Sequence, residues 1–159
     1  MEELKINSGI KKIAIRNEED ELITTLRINV ADAEVIEKFA RVINDLNSIS
    51  ERSEAEADKM RTEAKSIGET DNSEISMEDI SKAVDINRVR VKYIKEIINT
   101  LDGLFGEGTM EDIFGDIVPD EMAVVEFVEG IIPVMNKLFD KRLELSRKKY
   151  NTKRRGARA

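Results

Sequence analysis

Apolar positions repeat along this chain with two different periods. Between Ser76 and Phe105, the residues Ile80, Val84, Val91, Ile94, Ile98, Leu101 and Phe105 fall at alternating steps of three and four. One place in the series, at Asn87, is skipped. A single apolar stripe of that length predicts a helix of about seven turns. The skipped place has two readings. A buried Asn87 fixes register between helices, or the stripe drifts slightly and Ala83 and Ile86 fill in. Ser76 with Asp79 has the form of a capping box, Asp replacing Glu, and starts this helix.

Residues 3 to 30 follow a period of two instead. Ile13 and Ile15 alternate with Lys12, Ala14 and Arg16, and Leu22, Thr24, Leu26, Ile28 and Val30 alternate with their neighbours. That is the pattern of half-buried strands. Asn17 to Glu21 is the polar loop of a hairpin, and Leu4 with Ile6 offers a third strand. The acids from Glu18 to Glu21 read as a solvated turn, because consecutive acids lack the spaced oxygens of a calcium loop. A two-stranded ribbon is marginal in water, so this sheet requires a helix over its apolar face.

The next helix is expected to begin near Ala31 or Asp32, with Asp32 as its N-cap. Val35, Phe39, Val42, Leu46 and Ile49 then form a heptad seam, with Glu34–Lys38 and Glu37–Arg41 in the favourable order on the outer face. Beyond Ile49 the seam thins: Ser53 and Glu56 take its places, and only Met60 and Ile67 resume it. The stretch from about 50 to 67 is expected to be an exposed helical arm, either solvated or paired with another chain as a coiled coil. Ser66 to Ser73 is a loop by composition.

The long helix ends in a joint containing Gly103, Gly106 and Gly108. This is no phosphate loop, since it lacks the preceding strand and the following Lys-Ser/Thr. Thr109 with Asp112 is expected to cap a single turn carrying Met110, Ile113 and Phe114, which Gly115 stops. Pro119 suits the first position of a final helix. Its inner face is expected at Met122, Val125, Val128 and Ile132, continued by Met135, Leu138 and Phe139. A kink or break is expected between Gly130 and Pro133. The predicted fold is α+β, mainly α: an N-terminal hairpin or three-stranded meander packed on a bundle of long helices, the last kinked near Pro133. In domain terms, residues 1–30 are a β region, 31–150 a helical region of the same domain, and 151–159 a flexible basic tail.

Composition narrows the chemistry. Apolar residues make up 40% and charged residues 37%, too apolar for wholesale disorder and suited to long helices with wide solvated faces. Cysteine and histidine are absent, which excludes disulfides, Cys/His zinc sites and His- or Cys-dependent triads. No acid is isolated in an apolar setting that would shift its pKa, so no enzyme, metal or cofactor is expected. The most apolar window, Met122 to Phe139, is broken by Glu126, Glu129, Pro133 and Lys137 and reads as a core helix, not a membrane span. The first residues lack the apolar core of a signal peptide. A cytoplasmic protein is expected.

The net charge of −7 is unevenly spread. Residues 141–159 carry nine Lys/Arg against Glu144 alone, leaving a net of −15 on residues 1–140. The basic end, with Arg147, Lys148, Lys149, Lys153, Arg154 and Arg155, reads as a solvated tail or one docked on acidic surface. Nucleic acid is not an expected partner, because the acidic body repels the same polyanion and no basic recognition helix is present. Of the six methionines, Met77, Met110, Met122 and Met135 lie on amphipathic faces that suit protein binding. The best candidate for spare apolar surface is Met110, Ile113, Phe114 and Ile117 with Phe105, because a short element between glycines seldom buries so much alone.

The order of these features resembles tail assembly chaperones of phages and prophages of Gram-positive bacteria. The hairpin from Leu4 to Val30, the Ala31 helix, the joint from Leu101 to Phe114, the closing helix through Glu126 to Pro133 and its end at Lys148 to Asn151 carry the likeness. The resemblance implies a cytoplasmic, non-enzymatic factor that binds the tape-measure protein and helps bring tail-tube subunits to it. The alternative is a phage structural or host-interaction protein that forms homo-oligomers through coiled-coil helices.

Overall fold

The computed structural model describes the backbone of residues 1–67 and 76–156 and the side chains of 1–63 and 76–152. The fold is α+β and mainly α, with an N-terminal antiparallel hairpin packed on long helices. In order, the elements are β1 (Ile10–Arg16), β2 (Leu22–Asn29), α1 (Val35–Ile67), α2 (Met77–Phe105), α3 (Thr109–Phe114) and α4 (Glu121–Gly156). They divide into two compact units, residues 1–39 with 121 onward, and residues 40–120. The hairpin groups with the first residues of α1 and with α4.

In the first unit, Ile13 pairs with Leu26 and Ile15 with Thr24, so the period-two residues share one face. Leu26 and Ile28 on that face are buried, as is Val30 just beyond the strand. Asn17 closes the loop: its Oδ1 accepts from the amides of Glu19 and Glu21. Leu4 and Ile6 are exposed and outside any strand, so the hairpin stays two-stranded. Gly9 explains the stop. It turns at φ +75° and its carbonyl accepts from the Val30 amide at 2.9 Å, which directs the preceding residues off the ladder.

α1 begins at Val35, later than the expected start at Ala31 or Asp32, and Asp32 sits in the turn before it. Its Oδ1 accepts from the Glu34 amide and its Oδ2 pairs with Lys38 at 2.9 Å. The Lys38 contact, then the Glu34 amide, hold this carboxyl below the usual carboxylate range. Val35 and Phe39 are buried, and the Phe39 and Phe139 rings meet edge to face at 5.6 Å.

The inner face of α4 matches the expected one at Met135 and Phe139 and differs at its start. Val124, Ile131, Met135 and Phe139 are buried, whereas Met122 and Val125 are exposed. Apolar residues occupy every side of this helix between 122 and 135, so spacing alone does not choose a face. Pro133 lies inside α4, which is not broken there. Pro119 is not the first helical residue, since α4 begins two places later, after Asp120. The helix also runs through the expected flexible segment as far as Gly156, with the Thr152 hydroxyl donating to the Lys148 carbonyl. No helix breaker occurs earlier in that stretch.

In the second unit, α1 and α2 lie antiparallel, as residue 52 pairs with 96 and residue 56 with 93. The capping box is formed: the Asp79 amide donates to Ser76 Oγ and the Ser76 amide to Asp79 Oδ2. The α2 seam is buried at Ile94 and Leu101 but exposed at Ile80 and Val84. Asn87 is exposed, so it holds no interhelical register, and Ile86 beside it is half-buried. The expected arm is not free over its first turns. Ala57 is buried and Met60 is half-buried. Of the expected 66–73 loop, Ser66 and Ile67 close α1 and the rest lies outside the described residues.

A hydrogen bond from Tyr93 to Glu56 pins this segment. It pushes the Tyr93 hydroxyl above the usual phenol range, and burial adds to that. The folded-state pKa therefore exceeds the unfolded one. The stabilisation is fully present below about pH 10 and is lost as pH rises through the folded value. Tyr93→Phe is expected to melt at a lower temperature than wild type at pH 7, and the gap should close above about pH 10. Melting curves across that range check this; a gap constant with pH would contradict it.

Candidate functional site

The glycine joint builds a groove on α2 and α3. Gly106 ends α2 at φ +116°, its amide donating to the Asp102 carbonyl at 2.8 Å. Gly108 follows at φ +81° and begins α3 without a side-chain cap. The expected Thr109–Asp112 cap is not made, because the Thr109 hydroxyl turns back to the Gly106 carbonyl at 2.7 Å. Asp102 takes over part of that role, accepting the Met110 amide at 2.9 Å. Such a bond satisfies one of the donors left open at a helix start. It also locks Met110 inward, where it is 1% exposed.

Gly115 ends α3 at φ +78°, its amide on the Glu111 carbonyl at 2.7 Å. The chain then returns through Asp116, Ile117 and Val118 to a buried Pro119. Between this return, α3 and Ile98 of α2 lies a groove of about 300 Å³. Met110 and Phe114 line it on the apolar side, with Ile117 and Val118 along the return. Ile117 is 69% and Val118 41% exposed. Glu111 and Asp116 supply its charged lining, and both are exposed.

Of the five residues expected as partner surface, the groove unites Met110, Phe114 and Ile117. Phe105 and Ile113 are half-buried and line no part of it. Met110 is a fully buried anchor, not spare surface, and only Ile117 among the five is strongly exposed. Ile98, Val118 and Pro119 were missed because the groove joins a helix face to a non-helical return that no period marks. The surrounding sequence is one-sided in charge: residues 96–136 contain ten Asp/Glu and no Lys or Arg. At the basic end, Arg147, Lys148 and Lys149 are exposed on α4, and the helix backbone runs on through Lys153, Arg154 and Arg155.

The groove offers an apolar socket with carboxylates at its edge, which suits adhesion of a polypeptide side chain. Among the described residues, no group of three or more His, Cys, Asp or Glu is placed to hold a metal ion. No described helix is long and apolar enough to cross a membrane.

A family model covers residues 23–159, from within β2 through α4. The chain belongs to DUF6673, a family of unknown function. No curated protein and no solved structure matches it. The DUF6673 match includes every residue of the groove and the whole basic end of α4, but not β1.

Proposed function

We propose that this chain is a non-enzymatic phage tail assembly chaperone of the host cytoplasm. It binds the tape-measure protein through apolar helix faces and assists delivery of tail-tube subunits. Membership of DUF6673 does not supply this reading; the order of elements from the hairpin to the basic end suggests it. The observation that carries it is the groove, with exposed Ile117 and Val118 beside the buried Met110. An apolar side chain of a client helix entering there is removed from water, and the glutamate and aspartate at the edge select against acidic clients.

Co-expression with a long helical tape-measure protein tests the reading. The client is expected to co-purify with this chain and to become soluble. Absence of both would remove the proposal.

A second reading, a phage structural or host-interaction protein assembled through coiled coils, draws on one observation. Met77, Ile80 and Val84 form an exposed stripe at steps of three and four on α2. An elongated homo-oligomer that binds no client would favour it.

A further inference from the structure

We infer that the basic end of α4 in one copy of this chain docks into the groove of a second copy, so that the free protein self-associates. The inference rests on the groove being a binding surface, as above, but not on the identity of any client.

The two surfaces are chemical complements. The groove is apolar at Ile98, Met110, Phe114 and Ile117, carries Glu111 and Asp116, and lies in a stretch without a single Lys or Arg. The end of α4 is the reverse. Leu143, Arg147 and Tyr150 follow at steps of four and three, which places them on one stripe of the helix. Leu143 is 46% and Tyr150 66% exposed, and Arg147 between them is also exposed. Lys148 and Lys149 flank the stripe, and residues 141–156 hold eight Lys/Arg against one acid. An apolar–cation–apolar ridge about 10 Å long thus faces solvent.

A groove of about 300 Å³ is at the small end of binding pockets. It takes one large side chain rather than a whole helix. Tyr150, the larger and more exposed of the two apolar groups, is the anchor, with Arg147 and its basic neighbours against Glu111 and Asp116. Because donor and acceptor surfaces are different patches, the contact closes as a reciprocal dimer or continues as a chain; both make size depend on concentration.

Sedimentation velocity of the full chain, without client, tests this between about 1 and 200 μM protein. Wild type is expected to associate at about 50 mM salt and to dissociate toward monomer at about 500 mM, where exposed charges are screened. Three variants are compared: Glu111→Lys with Asp116→Lys, Arg147→Glu with Lys148→Glu, and Tyr150→Ala. All five positions are exposed, and circular dichroism verifies that each variant is folded. Each is expected to weaken association by about tenfold or more. Combining the two charge reversals in one chain should restore it to within about threefold of wild type. A wild type monomeric throughout, association indifferent to the single reversals, or a combined variant no better than either would each overturn the inference. None of these results bears on client capture, which is measured separately by co-purification.

Discussion

Met135→Ala is expected to lower the unfolding free energy by about 2–5 kcal/mol, the range for truncating a large buried side chain. Met135 is 0% exposed, in the middle of the α4 inner face formed by Val124, Ile131 and Phe139. Part of the loss is transfer of the side chain's apolar surface, and part is the void its neighbours fail to fill. For a domain of ordinary stability that is a large share of the total. Met122→Ala is the control. Met122 is 79% exposed on the same helix, so its truncation is expected within about 0.5 kcal/mol of wild type. Urea denaturation followed by far-ultraviolet circular dichroism separates the two. Equal effects would mean that α4 presents a different face from the one described.

Gly9→Ala is expected to destabilise by about 2–4 kcal/mol, combining a left-handed backbone with a steric clash. Gly9 holds φ +75°, and a Cβ there would stand 2.4 Å from Ala31 Cβ and 2.8 Å from the Ala31 amide nitrogen. Neither neighbour is a flexible side-chain tip, so relief requires the backbone to move. That movement would strain the Val30 amide's bond to the Gly9 carbonyl, which fastens the start of β1 to the end of β2. Gly103→Ala should act in the opposite sense. Nothing lies within 4 Å of a Cβ at Gly103 in α2, and alanine there is expected to add about 0.5–1 kcal/mol. The same denaturation series reports both. A neutral Gly9→Ala would show that Gly9 does not hold the conformation described.

The parts of the fold legible from sequence are those where one pattern has no competitor. Val35, Phe39, Leu46 and Ile49 are buried as their seam predicts, with Val42 half-buried, because polar residues outnumber Ile36 and Ile43 on the other sides of α1. The two strands and the loop between them follow from the alternation at Ile13, Ile15, Leu26 and Ile28. On α4 the pattern misled: ample apolar residues on all sides left the face to be chosen by packing, and Met122 and Val125 lost to Val124 and Ile131. The expected arm misled differently. Glu56 sits at a seam place and reads as a break, yet the Tyr93 hydroxyl satisfies it and keeps α1 against α2. Tyr93 itself lay off the expected stripe.

The groove was half legible. Met110, Phe114 and Ile117 stood out as too apolar for a short turn between glycines. Their division into buried anchor and exposed mouth depends on Asp102 holding the Met110 amide, a contact eight residues apart that no period announces.

The proposed adhesion through that groove is tested most directly by a single substitution. Ile117→Asp places a charge at the exposed mouth, where the fold loses little. Co-expressed with the tape-measure protein, wild type is expected to bring it into the soluble fraction and retain it on affinity resin. The Ile117→Asp chain, equally folded, is expected to lose at least about nine-tenths of that captured client, as removal of a central apolar contact commonly does. Equal capture by the two chains would contradict adhesion through the groove.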